Sequence, residues 1–189
     1  LVALQAPQAD KALMATYRKQ FANADKDIDQ AIRTLVVFSG EYVQKDADYS
    51  EEERAHVSQA INALGSWALA APLADPRRAQ PFFATLAAAA VRSGIDGKAG
   101  DAAFAALGMT QSLNRLSPFF ATLLAQLRVH YGLDIDAALR SLHVSLQQQT
   151  GDSAQLRLQY TFAGTRIDAL APAVRIDGHW YLANYVRRA

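Results

Sequence analysis

The chain has 189 residues, 51% of them hydrophobic and 20% charged, which is enough to bury a core without staples and excludes wholesale disorder. Its 19 Lys and Arg against 18 Asp and Glu leave a formal charge of +1, so no global field recruits nucleic acid or an acidic membrane. Cysteine is absent, which removes disulfides, thiolate catalysis and zinc sites built on Cys.

The chain starts at Leu1 rather than Met, and the polar Gln5-Ala-Pro-Gln-Ala-Asp10 suits a tether left after signal removal. The expectation is an exported bacterial protein, periplasmic or secreted, with room for a lipid anchor upstream. No transmembrane segment is expected, because Ser66 to Ala74 and Phe82 to Val91 are short and Ala-rich.

From Asp10, the spacing of Leu13, Tyr17 and Phe21 predicts an amphipathic helix with Lys11, Arg18 and Lys19 toward water. A second helix begins near Asp25, carries Ile28, Ile32, Leu35 and Val36 inward, and ends around Ser39-Gly40 with Gly as a C-cap, a few residues continuing toward Val43. Ser50-Glu-Glu-Glu53 reads as a capping box that starts a third. Val57, Ile61, Leu64 and Ala68 mark its core face, and Pro72 and Asp75-Pro76 interrupt it.

Pro81-Phe-Phe-Ala-Thr-Leu86 then recurs as Pro118-Phe-Phe-Ala-Thr-Leu123, with Arg78 and Arg115 each three residues before the Pro. Gly94-Ile-Asp96 matches Gly132-Leu-Asp134 with one residue of slippage. Each copy predicts Pro near the first helical position, a helix of three to four turns, a Gly stop and a short second helix, so duplicated helical hairpins are expected near 81–107 and 118–142. Phe83, Leu86, Ala87, Ala90 and Val91 share one face of the first copy, and Phe120, Leu123, Leu124, Leu127 and Tyr131 one face of the second. These faces read as core, with a ligand groove as the alternative.

From Arg140 the period changes to two. Leu142, Val144 and Leu146 alternate with Ser141, His143, Ser145 and Gln147, and Leu156, Leu158, Tyr160 and Phe162 alternate with Gln155, Arg157, Gln159 and Thr161. Thr150-Gly-Asp-Ser153 and Asp177-Gly178 predict two hairpins. The expected class is therefore α+β and mostly helical: five to seven helices over 1–139, then a three- or four-stranded antiparallel meander over 140–189, packed as one shared core. At Asp177-Gly178, a two-residue turn would pair Trp180 with Arg175, whereas a three-residue loop with a Gly bulge would pair it with Ile176 and bury the indole. The second is preferred on aromatic burial.

The four histidines, His56, His130, His143 and His179, lie in different predicted elements with no i, i+4 pair, so no metal motif is present. Gly94-Ile-Asp-Gly97 lacks the preceding strand of a phosphate loop, Gly-x-Ser-x-Gly is missing, and no cofactor is implied. The candidate ligand-binding residues are His143, Arg157 and Arg175 on the strands. The expected function is non-catalytic binding of a partner protein or a small apolar ligand, with no nucleic acid. An enzyme with a pocket in the concavity of the C-terminal sheet is the competing expectation.

The helix–strand–turn–strand–strand order, closed by Val174-Arg-Ile-Asp-Gly-His-Trp-Tyr-Leu182, resembles the final strands of nuclear-transport-factor-two-like and cystatin-like domains of exported bacterial proteins. That resemblance covers about the last fifty residues and implies a curved sheet wrapped round a helix, with a conical pocket used for ligand binding or occasional catalysis. The long helical portion before it departs from the family's pattern, and no family catalytic residue maps onto this chain.

Overall fold

The structure, a computed structural model, describes residues 8–94 and 107–187, and within them seven helices and one antiparallel sheet of four strands, an α+β fold. The helices are α1 (Ala9–Gln20), α2 (Asp25–Lys45), α3 (Glu51–Ala70), α4 (Pro76–Arg92), α5 (Met109–Tyr131), α6 (Ile135–Arg140) and α7 (Ala183–Arg187). The strands β1 (His143–Thr150), β2 (Ser153–Phe162), β3 (Thr165–Ile176) and β4 (His179–Leu182) lie in chain order. The chain groups into two compact units, Leu1–Gln30 with Ala71–Asp134, and Ala31–Ala70 with Ile135–Ala189. Most of α2 and all of α3 thus group with the sheet in the second unit.

In the first unit α1 and α5 pack on α4. Asp75 accepts a hydrogen bond from the Arg77 amide and Pro76 occupies the first turn, so α4 starts before the repeated motif. Pro81 and Pro118 both lie inside their helices rather than at equivalent starts, which corrects the expectation for the two copies. Each ring removes one backbone hydrogen bond, and the packing of the residues that follow offsets that cost. The seam of α4 and α5 is built from Phe82 and Leu86 of one copy and Phe119 and Leu123 of the other, with Ala89 and Ala90 allowing close approach. The first Phe of each motif thus joins the seam, Phe119 buried and Phe82 half-buried. The second Phe goes elsewhere: Phe83 packs on Tyr17 of α1, while Phe120 is 51% exposed.

A relation the sequence only hinted at appears at the helix ends. Arg78 Nη1 donates to the His130 carbonyl (3.0 Å) and Arg115 Nε donates to the Ser93 carbonyl (3.0 Å). The donors are 37 residues apart (115 − 78), as are the acceptors (130 − 93) and the two prolines (118 − 81). The repeat therefore forms an antiparallel, approximately two-fold helix pair in which each arginine caps the C-terminal end of the other helix, where a cation also complements the helix dipole. At one of those ends Gly94 has φ 66° and a Cβ there would strike the Arg115 guanidinium. At the other, Gly132 in the left-handed region stops α5, and α6 follows as the expected short helix. The corresponding second helix of the first copy, with Ala102-Ala-Phe104, lies outside the described residues.

In the second unit α2 continues past Ser39-Gly40 to Lys45, so Gly40 is not its cap. The extra turns bury Val43 and join Lys45 to Glu41 at 3.1 Å, which offsets the roughly 1 kcal/mol that an interior Gly costs. The capping box forms as expected: the Ser50 amide donates to Glu53 Oε2 (2.7 Å) and the Glu53 amide donates to Ser50 Oγ (3.2 Å).

The sheet follows the period-two pattern, with Val144 opposite Leu158, Leu146 opposite Leu156, and Tyr160 opposite Ile167 on one face. The register slips once, between Leu146 and Gln148, where Gln147 forms a bulge. Besides the two expected hairpins, Ala163-Gly164 makes a third two-residue turn, both residues at positive φ. Asp177-Gly178 also takes the two-residue form, at φ 49° and 83°, and pairs Ile176 with His179 and Arg175 with Trp180. The preferred bulged loop is thereby overturned, and Trp180 is 43% exposed. A turn with both residues at positive φ matches the strand twist, and Asp-Gly adopts it readily, so local turn chemistry outweighed the indole's tendency to be buried.

Candidate functional site

The site lies within the second unit, on the apolar face of the sheet. Ala63 of α3 packs on Ile167 and Ala169 of β3, and Ile167 is fully buried. Because β4 pairs only with the last residues of β3, the edge of β3 near Asp168 has no strand partner among the described residues. Gln59 of α3 takes that role: its Nε2 donates to the Asp168 carbonyl (2.9 Å) and its Oε1 accepts from the Asp168 amide (3.0 Å). One side-chain amide thus stands in for a strand residue and protects an open edge. On the other side α6 packs over β2. Ser141 clamps that corner, its Oγ donating to the Ala138 carbonyl (2.8 Å) and accepting from the Thr161 amide (2.9 Å).

Between these two helices and the sheet the packing leaves a pocket of about 380 Å³ that opens to solvent where Leu139 is 68% and Leu142 45% exposed. Helix α3 supplies His56 and Ala60, α6 supplies Ile135, Ala138 and Leu139, and Leu142 leads into the sheet, where Leu158, Tyr160 and Phe162 form the floor. The small side chains of Ala60 and Ala138 on the facing helices are what keep the space empty. Such a volume falls within the range of small-molecule sites, roughly 300 to 1,000 Å³. Where helix meets helix in the first unit, by contrast, Ala89 and Ala90 accept Phe119 directly.

The polar atoms of this wall belong to a single pair. His56 Nε2 lies 2.8 Å from Tyr160 Oη, with the rings edge to face at 5.8 Å. Burial lowers the His56 pKa below its ordinary value and raises that of Tyr160, so each is held in its neutral form near pH 7. In either tautomer one hydrogen bond is used between the two rings. The Tyr160 oxygen keeps a further lone pair or its own proton for a ligand.

His143, Arg157 and Arg175 are not brought together. His143 stands opposite Gln159 and Ser145 opposite Arg157, which places His143 and Arg157 on the face away from the cavity. There Arg157 is committed to Asp168 through Nε (2.8 Å) and Nη2 (2.5 Å), and Gln159 Nε2 adds a third donor (3.0 Å). The Arg157 and Gln159 hydrogen bonds hold the Asp168 carboxyl down to about 2. Arg175, opposite Trp180, has the alternation of the apolar face but does not line the cavity. The residues that do, His56 and Tyr160, were visible in the sequence only as one histidine among four and one member of an apolar stripe. The spacing of His56, Ala60 and Ala63 marked a second inward stripe on α3 beside Val57, Ile61 and Leu64, and Leu64 is exposed.

Among the described residues no helix is long and apolar enough to cross a membrane. Comparison with family models, with curated proteins and with solved structures finds no match for this chain.

Proposed function

We propose that this protein is a non-catalytic binder of a small apolar ligand, held in the cavity between α3, α6 and the sheet. One observation carries the reading: a cavity of about 380 Å³ is walled by aliphatic and aromatic side chains and has one hydrogen-bonded His–Tyr pair at its polar end. An enzyme would use the same pair as acid and base, but among the described residues no charged side chain lines the cavity to orient or activate it, which favours binding over chemistry. Export to the periplasm or the cell exterior belongs to the same reading, since a carrier of apolar molecules is useful where they must cross water.

The test is fluorescence titration of the full chain with N-phenyl-1-naphthylamine, an uncharged apolar probe. Saturable enhancement is expected, abolished in Ala60→Phe, which fills the cavity. If the native chain gives no saturable enhancement, or Ala60→Phe binds as well as native, the reading fails and binding of a partner protein takes its place.

A further inference from the structure

We infer that the ligand is an uncharged amphiphile, a hydrocarbon body bearing one hydroxyl or carbonyl oxygen that hydrogen-bonds to Tyr160 Oη beside His56. This deepens the proposed binding function and rests on it. Among the described residues, the cavity's lining, taken element by element, includes no Lys, Arg, Asp or Glu: α3 contributes His56 and Ala60, α6 only aliphatic side chains, and the sheet Leu158, Tyr160 and Phe162. A carboxylate or ammonium seated against the His56–Tyr160 end of this pocket would give up part of its hydration without meeting an opposite charge. A hydroxyl or carbonyl loses far less, and it finds a partner in either state of the pair. When Tyr160 donates to His56 Nε2, its oxygen still accepts from a ligand hydroxyl. When His56 Nε2–H donates to Tyr160, the phenolic proton is free for a ligand carbonyl. Burial keeps both rings neutral, so the pair itself supplies no charge to attract an ion. A site built to hydrogen-bond one oxygen also discriminates against a hydrocarbon lacking it, because the pair's remaining donor or acceptor would be left unmet.

The experiment is displacement of N-phenyl-1-naphthylamine from the full chain at pH 8 by three probes of equal chain length: 1-decanol, sodium decanoate and decyltrimethylammonium. Decanol should displace at concentrations about tenfold or more below either ion. In Tyr160→Phe that advantage should shrink about tenfold, each displacement being referred to the variant's own affinity for the naphthylamine. If decanoate or the ammonium competes as well as decanol, the charge class is wrong although the binding function stands. If decanol keeps its full advantage in Tyr160→Phe, the anchor is wrong. If the naphthylamine itself does not bind the native chain, the binding function and this inference fall together. The ranking of the three probes is read on the native chain, so it decides the charge class even if Tyr160→Phe folds poorly.

Discussion

The α4–α5 pair and the α3–α6 roof over the sheet are made from the same kinds of residue, yet one closes and the other stays open. In the helix pair, a repeated motif puts equivalent Phe and Leu residues on both partners, and Ala89 and Ala90 receive them. On the sheet, Ala60 and Ala138 face Leu158 and Phe162 with nothing large between them. Small residues thus make a close seam where the facing element is a complementary helix, and a cavity where it is a sheet that two helices straddle.

Truncation should separate the two regions most clearly. Leu86→Ala, in the closed seam, should cost about 3 kcal/mol, within the 2–5 typical of buried leucines, whereas Leu158→Ala should cost about 1 to 2 because it already borders empty space. Urea unfolding of both decides, and equal costs would mean that the cavity wall is as tightly packed as the seam. The reverse substitution sharpens the contrast. Ala90→Leu should destabilise by roughly 1 to 3 kcal/mol through overpacking, while Ala60→Leu should be nearly neutral in melting temperature and weaken probe binding.

The helix ends offer a test of the reciprocal arginine caps. Gly94→Ala must accept a positive φ and displace Arg115, so a loss of about 1 to 2 kcal/mol is expected; no loss in thermal melting would show that this cap contributes little. At the opposite end of the exposure scale, Trp180→Ala should cost about 1 kcal/mol, well below the 3–5 of a core aromatic, since the two-residue turn displays the indole.

The smallest effects are electrostatic and confined to the sheet unit. Asp168 has its folded pKa depressed to about 2, so its contribution is present above its unfolded value near 4 and is lost as pH falls from about 4 to 2. His56, lowered from its ordinary 6.5, works from the other side: below about 6.5 the unfolded chain takes up a proton that the folded chain refuses, and stability declines until the folded pKa is reached. Unfolding measured across pH 7 to 2 should lose the acid step in Asp168→Asn and the near-neutral step in His56→Gln.

Much of the architecture was legible in local signals. The capping box at Ser50 and Glu53, the period-two strands, the Gly132 stop and the two expected hairpins involve residues within a few positions of one another, whose turn and cap chemistry acts before any tertiary contact. The Ala163-Gly164 turn was missed because alanine carries no turn signal. Gly40 misled as a cap, although a continuation toward Val43 was expected, because the turns beyond it gain a buried Val43.

By itself, then, the sequence determined the α+β class, which strand residues share a face and the fact of an internal repeat, all properties of spacing along the chain, but not that Val144 and Leu146 of β1 stay exposed. Tertiary structure alone decided that the repeat forms a reciprocal helix pair, that Arg157 is tied to Asp168, and that His56 meets Tyr160 across 104 residues at the end of a cavity. The reason is physical. Hydrophobic periodicity says which side of an element avoids water, but how fully that side is filled depends on the shapes of side chains contributed by distant elements. A cavity is the volume those shapes fail to occupy.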